Sequence, residues 1–177
     1  MQLSWSHKLF FLANRFSGRY PWFDKTVAYF AIDALVILGL ATFFRVCIGL
    51  GWQWPLILNF AARFLIASVI AFTISWLFGW IYPHRRPIVE FPEVKEIVRP
   101  LSNWKSLPSD HTIAAFLLVW FLWFNQIVLG ISPLVLFGYF VWATVVSVAR
   151  VFAGVHYPRD IAAGWCLATI VAFLFFR

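Results

Sequence analysis

The sequence predicts an all-α polytopic membrane helix bundle, with about five transmembrane helices following an N-terminal amphipathic interfacial helix. Three observations predict it. Of 177 residues, 63% are hydrophobic and only 12% charged, with a mean hydropathy of +0.84, outside the range of water-soluble domains. A core of this size has no room to hide 21 Phe and 11 Trp, so much of that apolar surface must face lipid. The apolar residues also fall into runs of about 20, the length a helix needs to cross a hydrocarbon core of about 30 Å. Residues 1–177 read as one membrane-embedded domain.

In chain order, residues 1–24 place Lys8, Arg15 and Arg19 among Leu9, Phe10, Phe11, Leu12 and Phe16. This mixture lacks the unbroken apolar stretch of a signal peptide and reads as a helix lying in the interface. Spans follow from about Lys25 to Phe44 and from about Leu56 to Trp80. Residues 82–110 then carry five prolines together with His84, Arg85, Arg86, Lys95, Arg99 and Lys105. Such a stretch neither lies in hydrocarbon nor forms one helix, and it is the main polar loop. Three further spans are expected at about Thr112–Leu129, Leu134–Phe152 and Ile161–Phe176, divided by Gly130 with Pro133 and by Gly154 through Pro158. Asp33 and Arg63 fall inside the first two spans, where an unpaired charge costs at least ~2.5 kcal/mol; pairing with each other is the economical arrangement. Trp22, Trp52, Trp54, Trp80 and Trp104 sit near span ends, as an aromatic belt requires. Cys47 and Cys166 are far apart in apolar stretches and suggest neither a disulfide nor a thiolate metal site.

Connectivity gives a geometric consequence. The end of span two, the start of span three, the end of span four and the start of span five emerge on one side of the membrane. That face collects Arg85, Arg86, Ser109, Asp110, His111, Arg150, His156 and Asp160. Arginine forks suit phosphate oxygens, and the N–H groups opening the third span attract an anion. His156 and Asp160 are spaced for a carboxylate in the first helical turn to hold one imidazole nitrogen while the other acts as a nucleophile. His111 is then placed to protonate a leaving oxygen. Taken singly, a juxtamembrane arginine pair is more often a headgroup patch, and a histidine at a helix start more often a cap. Their convergence on one face favours catalysis, and no cluster offers ligands for a divalent metal.

Together these motifs resemble the type 2 phosphatidic acid phosphatase family: Arg86-Pro87, then Pro108-Ser109-Asp110-His111, then Arg150 followed by His156 and Asp160. The likeness spans residues 79–160 and is most specific over 149–160. It implies that His156 forms a phosphohistidine, Asp160 orients it, His111 is the general acid, and Arg86, Ser109 and Arg150 bind phosphate without metal or cofactor. Asp110 in place of the family glycine looks like bacterial undecaprenyl pyrophosphate phosphatases of that family, as does the segment Phe11–Asp24. The likeness therefore implies hydrolysis of undecaprenyl pyrophosphate, a lipid-linked diphosphate of cell-wall synthesis, in the bacterial cytoplasmic membrane, with the site on the outer face. The bilayer is the expected partner, and nucleic acid is not.

Two more departures stand out. Gly79 replaces the family lysine, with Arg85 the nearest cation to take its place, and Ala149 replaces a serine. Rival readings are a phosphatase of other lipid phosphates such as phosphatidate or phosphatidylglycerol phosphate, a lipid phosphotransferase, and, more remotely, a non-enzymatic lipid transporter. The basic residues outside the catalytic cluster crowd the site's face, with Lys8, Arg15, Arg19, Lys25, Lys95, Arg99, Lys105 and Arg159 against Arg45 and Arg177 opposite. By the positive-inside rule alone that face would be cytoplasmic. Phosphate-binding demand on the same face weakens that rule here.

Overall fold

Proline and small polar residues set most of the helix boundaries. The computed structural model describes residues 4–100 and 103–177, so residues 1–3 of the expected interfacial helix and 101–102 of the polar loop lie outside the described residues. Its helices are α1 (Trp5–Asn14), α2 (Pro21–Gly49), α3 (Trp54–Ile81), α4 (Pro87–Glu90), α5 (Asp110–Phe124), α6 (Gln126–Leu129), α7 (Pro133–Phe152) and α8 (Pro158–Phe175), and the described residues contain no strand. Proline opens α2, α4, α7 and α8, where its missing N–H costs nothing. Ser132 also caps α7 by accepting the Val135 N–H at 3.4 Å.

Four of the five expected spans, α2, α3, α7 and α8, are long and apolar enough to cross a membrane. The third is shorter. At 15 residues, α5 rises only about 22 Å, because the Asn125 amide turns back onto the Phe121 carbonyl at 2.7 Å and α6 completes the segment. Arg45 then holds the chain after α6, donating to the Leu129 and Gly130 carbonyls at 2.7 and 2.5 Å.

Helix α5 is the central helix, packed against α8, α7, α2 and α3. Ile113, Ala115, Phe116, Leu117, Val119, Phe121 and Leu122 are all buried there, while α2 and α3 present Val36, Leu40, Leu58 and Leu65 outward. Small residues allow the close approach. Ala67, Ala71, Ser75 and Gly79 form a buried stripe on α3, and Gly164, Ala168 and Ala172 form another on α8. In a membrane, where lipid removes the hydrophobic drive between helices, such stripes provide dispersion contact between backbones.

Two expectations are corrected. Asp33 and Arg63 do not pair: α2 packs on α7 and α5 while α3 packs on α8 and α5, so the central helix stands between them. Arg63 instead donates to the Phe175 carbonyl at 3.3 Å, and Asp33 is exposed. The expected helix over residues 1–24 is only Trp5–Asn14, since the chain turns at Gly18 (φ 71°) and α2 already begins at Pro21. Helix α1 also docks on protein. Phe10 is fully buried beside Tyr157 and Val151, and Ser6 accepts the Arg159 N–H at 3.1 Å.

Candidate active site

The expected convergence of four helix ends is present. Arg86 precedes α4, Ser109 stands just before α5, His111 lies in its first turn, Arg150 lies in the last turn of α7, and His156 stands in the α7–α8 turn just ahead of Asp160 in α8. The backbone locks these ends together: the Ser109 N–H donates to the Asp160 carbonyl at 3.1 Å. At Gly164 the helices come so close that an added Cβ would lie 2.8 Å from the Ser109 carbonyl oxygen.

The turn carrying His156 is held from outside by the N-terminal segment and the polar loop. Ser17 donates to the Phe152 carbonyl at 2.7 Å, the Asn14 amide donates to the Lys95 carbonyl at 3.0 Å, and the Ile97 N–H donates to the Ala153 carbonyl at 3.1 Å. Gly154 lies at φ 83°, and a Cβ there would sit 2.6 Å from the Lys95 carbonyl oxygen. Conformation and space both require glycine.

Asp160 is fully buried. Its Oδ2 accepts from the Ser106 hydroxyl at 2.5 Å and from the Tyr157 N–H at 2.8 Å, and lies 3.4 Å from His156 Nδ1. On the other side of the ring, Arg86 Nη1 is 3.0 Å from His156 Nε2 and donates to the Val155 carbonyl at 2.9 Å. Guanidinium only donates, so Nε2 is the bare nitrogen and the ring proton sits on Nδ1, toward Asp160. Burial drives the His156 imidazole down to about 4, with Asp160 opposing the shift, so the ring is neutral in ordinary buffers. Burial likewise lowers Arg86, against the raising influence of Asp160 and Asp110.

Ser109 Oγ and Arg150 Nε are buried without a hydrogen-bond partner among the described residues. Native interiors seldom leave such donors unused, and here both sit at the helix ends that converge on the site. Arg150 Nη1 is anchored on the Ala31 carbonyl at 2.9 Å. His111 is half-buried and feels the charges of Arg150, Asp110 and Arg86 together with His156. Chemically, the arrangement offers a neutral nucleophilic nitrogen, two buried guanidinium groups, a hydroxyl and a second imidazole, which suits displacement at a phosphoryl group. Among the described residues, no group of three or more His, Cys, Asp and Glu side chains is placed to hold a metal.

Not every expected residue turns inward. Arg85 is exposed, and the cation lying against Gly79 is Lys105. Asp110 binds Lys105 and Ser75, so its carboxylate faces a cation. Sequence reasoning missed Ser75, Lys105 and Ser106 as parts of the site. The only available signal was that Lys105 and Ser106 immediately precede the Pro108–His111 motif. It also missed Tyr157 donating to Glu90 at 2.7 Å beside the ring of His7; burial and that bond raise the phenol's pKa.

Comparison with known proteins gives a consistent family. The PAP2 superfamily model matches residues 56–177. The chain is 30% identical over 158 residues to YbjG of Escherichia coli, whose name places it provisionally among undecaprenyl-diphosphatases; the match covers 88% of this chain and 73% of that protein. It is 31% identical over 112 residues to the undecaprenyl-diphosphatase BcrC of Bacillus subtilis, covering 63% and 54% of the two chains. Among solved structures, Aquifex aeolicus LpxE matches with a TM-score of 0.75 at 20% identity, covering 98% of this chain and 95% of that one. A PAP2-type phosphatidylglycerolphosphate phosphatase from Bacillus subtilis matches with a TM-score of 0.61 at 22% identity, covering 96% and 82%.

Proposed function

Because the chain belongs to the PAP2 superfamily, we propose that it is a membrane phosphatase of lipid-linked diphosphates, with undecaprenyl pyrophosphate as its substrate. The observation that carries this reading is the His156 ring held between Asp160 on Nδ1 and Arg86 on Nε2, with unused donors beside it. The relatives named undecaprenyl-diphosphatases support the choice of lipid.

In the proposed reaction the substrate's terminal phosphate draws Arg86 away from His156 Nε2 and takes hydrogen bonds from Arg86, Arg150 and Ser109. The freed nitrogen attacks the terminal phosphorus. An N–P bond forms while the bond from phosphorus to the bridging oxygen breaks, and the departing lipid monophosphate takes a proton from His111. Asp160 stabilises the positive charge that develops on the imidazole. Water then gives a proton to His111 and attacks phosphorus, the N–P bond breaks, and inorganic phosphate leaves. Both steps move charge onto oxygens already faced by fixed donors, which is where electrostatic catalysis is largest.

The test is a rate comparison in detergent across undecaprenyl pyrophosphate, its monophosphate, phosphatidate and phosphatidylglycerol phosphate. The expected order puts the diphosphate first. A higher kcat/KM for phosphatidylglycerol phosphate would transfer the assignment to that substrate, and transfer of phosphate to an added lipid alcohol would make the protein a phosphotransferase.

The proposed setting is the bacterial cytoplasmic membrane with the site on its outer face. The basic residues on that face favour the opposite orientation by the positive-inside rule, but a face that handles lipid phosphates needs cations for reasons unrelated to insertion, and Lys105, one of those counted, is bound to Asp110 beside the site. A cysteine replacing exposed Glu93, in a Cys47→Ala/Cys166→Ala background, should label with a membrane-impermeant maleimide in intact cells after any outer membrane is permeabilised. Labelling only after the cytoplasmic membrane is broken would place the site inside.

A further inference from the structure

Two of the three departures from the family pattern, glycine at 79 and aspartate at 110, meet at one side chain. Lys105 leaves the polar loop, is almost fully buried, and runs across Gly79 so tightly that a Cβ there would lie 2.7 Å from its Cγ and 2.8 Å from its Cδ. Its ammonium donates to Ser75 Oγ at 2.7 Å and to Asp110 Oδ1 at 2.5 Å. Ser75 closes the triangle by donating to the same Asp110 oxygen at 2.7 Å. The cation is thereby fixed beside the first turn of α5 on Asp110, the residue between Ser109 and His111, and near enough to Arg86 for the two to repel.

Charge balance says what this cation is for. Arg86 and Arg150 bring two positive charges to the site and Asp110 and Asp160 two negative ones, Asp160 lying also 3.7 Å from Arg159 Nε. Lys105 adds a further positive charge at the Asp110 end of the site, which strengthens its attraction for an anion. An ammonium has three N–H donors; Ser75 and Asp110 take two, and the third has no partner among the described residues.

We propose that Lys105 is a phosphate-binding residue of this enzyme, delivered from the loop through the gap that Gly79 leaves in α3 and held in place by Ser75 and Asp110. This rests on the phosphatase reading above. It assigns to Asp110 the role of positioning Lys105, and it gives Arg85 no part in replacing the lysine absent at position 79.

The experiment measures kcat and KM for undecaprenyl pyrophosphate, and inhibition by inorganic phosphate, in four purified proteins: wild type, Lys105→Met, Lys105→Met/Asp110→Asn and Lys105→Ala/Gly79→Lys. Elution as a monodisperse species in detergent is checked for each. Lys105→Met is expected to lower kcat/KM about 10- to 100-fold, as loss of a charged hydrogen bond does, mostly through KM, and to weaken phosphate inhibition. The Asp110→Asn double variant removes the carboxylate charge that loss of the lysine leaves unpaired, and is expected to stay impaired. Wild-type kcat/KM in that double variant would overturn the proposal, because Lys105 would then serve only to neutralise Asp110. Lys105→Ala/Gly79→Lys clears the Cγ and Cδ that a Cβ at 79 would meet, returns an ammonium from α3 and is expected to regain most of the loss; a monodisperse protein showing no regain would also overturn it. A wild-type protein without phosphatase activity would instead refute the functional reading, and this is scored before any variant.

Discussion

His156→Ala is expected to lower kcat on a lipid diphosphate by about four to six orders of magnitude, the scale seen when a covalent nucleophile is removed. The size follows from the site: among the described residues no second nitrogen is held between a carboxylate and a guanidinium as His156 is, at 3.4 Å from Asp160 and 3.0 Å from Arg86. The protein should still fold, since alanine removes a ring whose neutral form pairs only with groups that keep other partners. Turnover within tenfold of wild type would reject His156 as nucleophile. The pH dependence is a second readout of the same residue. Because burial drives His156 down to about 4 from an ordinary 6.5, Nε2 keeps its lone pair well below neutrality, and loss of nucleophile on the acid side is expected only near pH 4. The sign for stability follows. Between about 4 and 6.5 the unfolded chain binds the proton that folded His156 refuses, so this residue makes the fold less stable as pH falls through that window. In His156→Ala that part of the acid destabilisation should disappear, as read from the thermal midpoint at pH 4.5 and 7.

Asp160→Asn is expected to lower kcat by about three to four orders of magnitude, comparable to amide substitution of the carboxylate in other nucleophile–histidine–carboxylate sites. Asp160 Oδ2 accepts from Ser106 and the Tyr157 N–H and faces His156 Nδ1, so it determines which ring nitrogen carries the proton. An amide turned toward the ring donates to Nδ1, leaves the proton on Nε2, and blocks the attacking atom. It also leaves the imidazolium that forms during attack without a counter-charge. Since asparagine keeps a carbonyl to receive Ser106 or the Tyr157 N–H, the loss should fall on kcat and leave the protein monodisperse. A variant with near wild-type kcat would show that Asp160 only caps α8.

Much of this protein was legible in its composition and spacing. The apolar runs determined the spans because hydrocarbon satisfies no backbone polar group and so admits only helices of fixed length. Span parity alone then placed Arg86, Ser109, His111, Arg150, His156 and Asp160 on one face. The four-residue step from His156 to Asp160, read with Pro158 as a helix opener, located the imidazole–carboxylate contact that the structure has.

The rest required packing. That α5 stands between α2 and α3, separating Asp33 from Arg63, is invisible to hydropathy, because a buried helix and a lipid-facing one are equally apolar in sequence. The stripe Ala67, Ala71, Ser75 and Gly79 reads as ordinary membrane composition until a neighbouring backbone lies against it. Arg85 was the obvious cation near Gly79 along the chain, yet Lys105, 26 positions after Gly79, occupies the gap. Sequence periodicity records which residues share a face of one helix, whereas a loop side chain passing through a hole in another helix depends on where both backbones come to rest, and only the tertiary fold decided that.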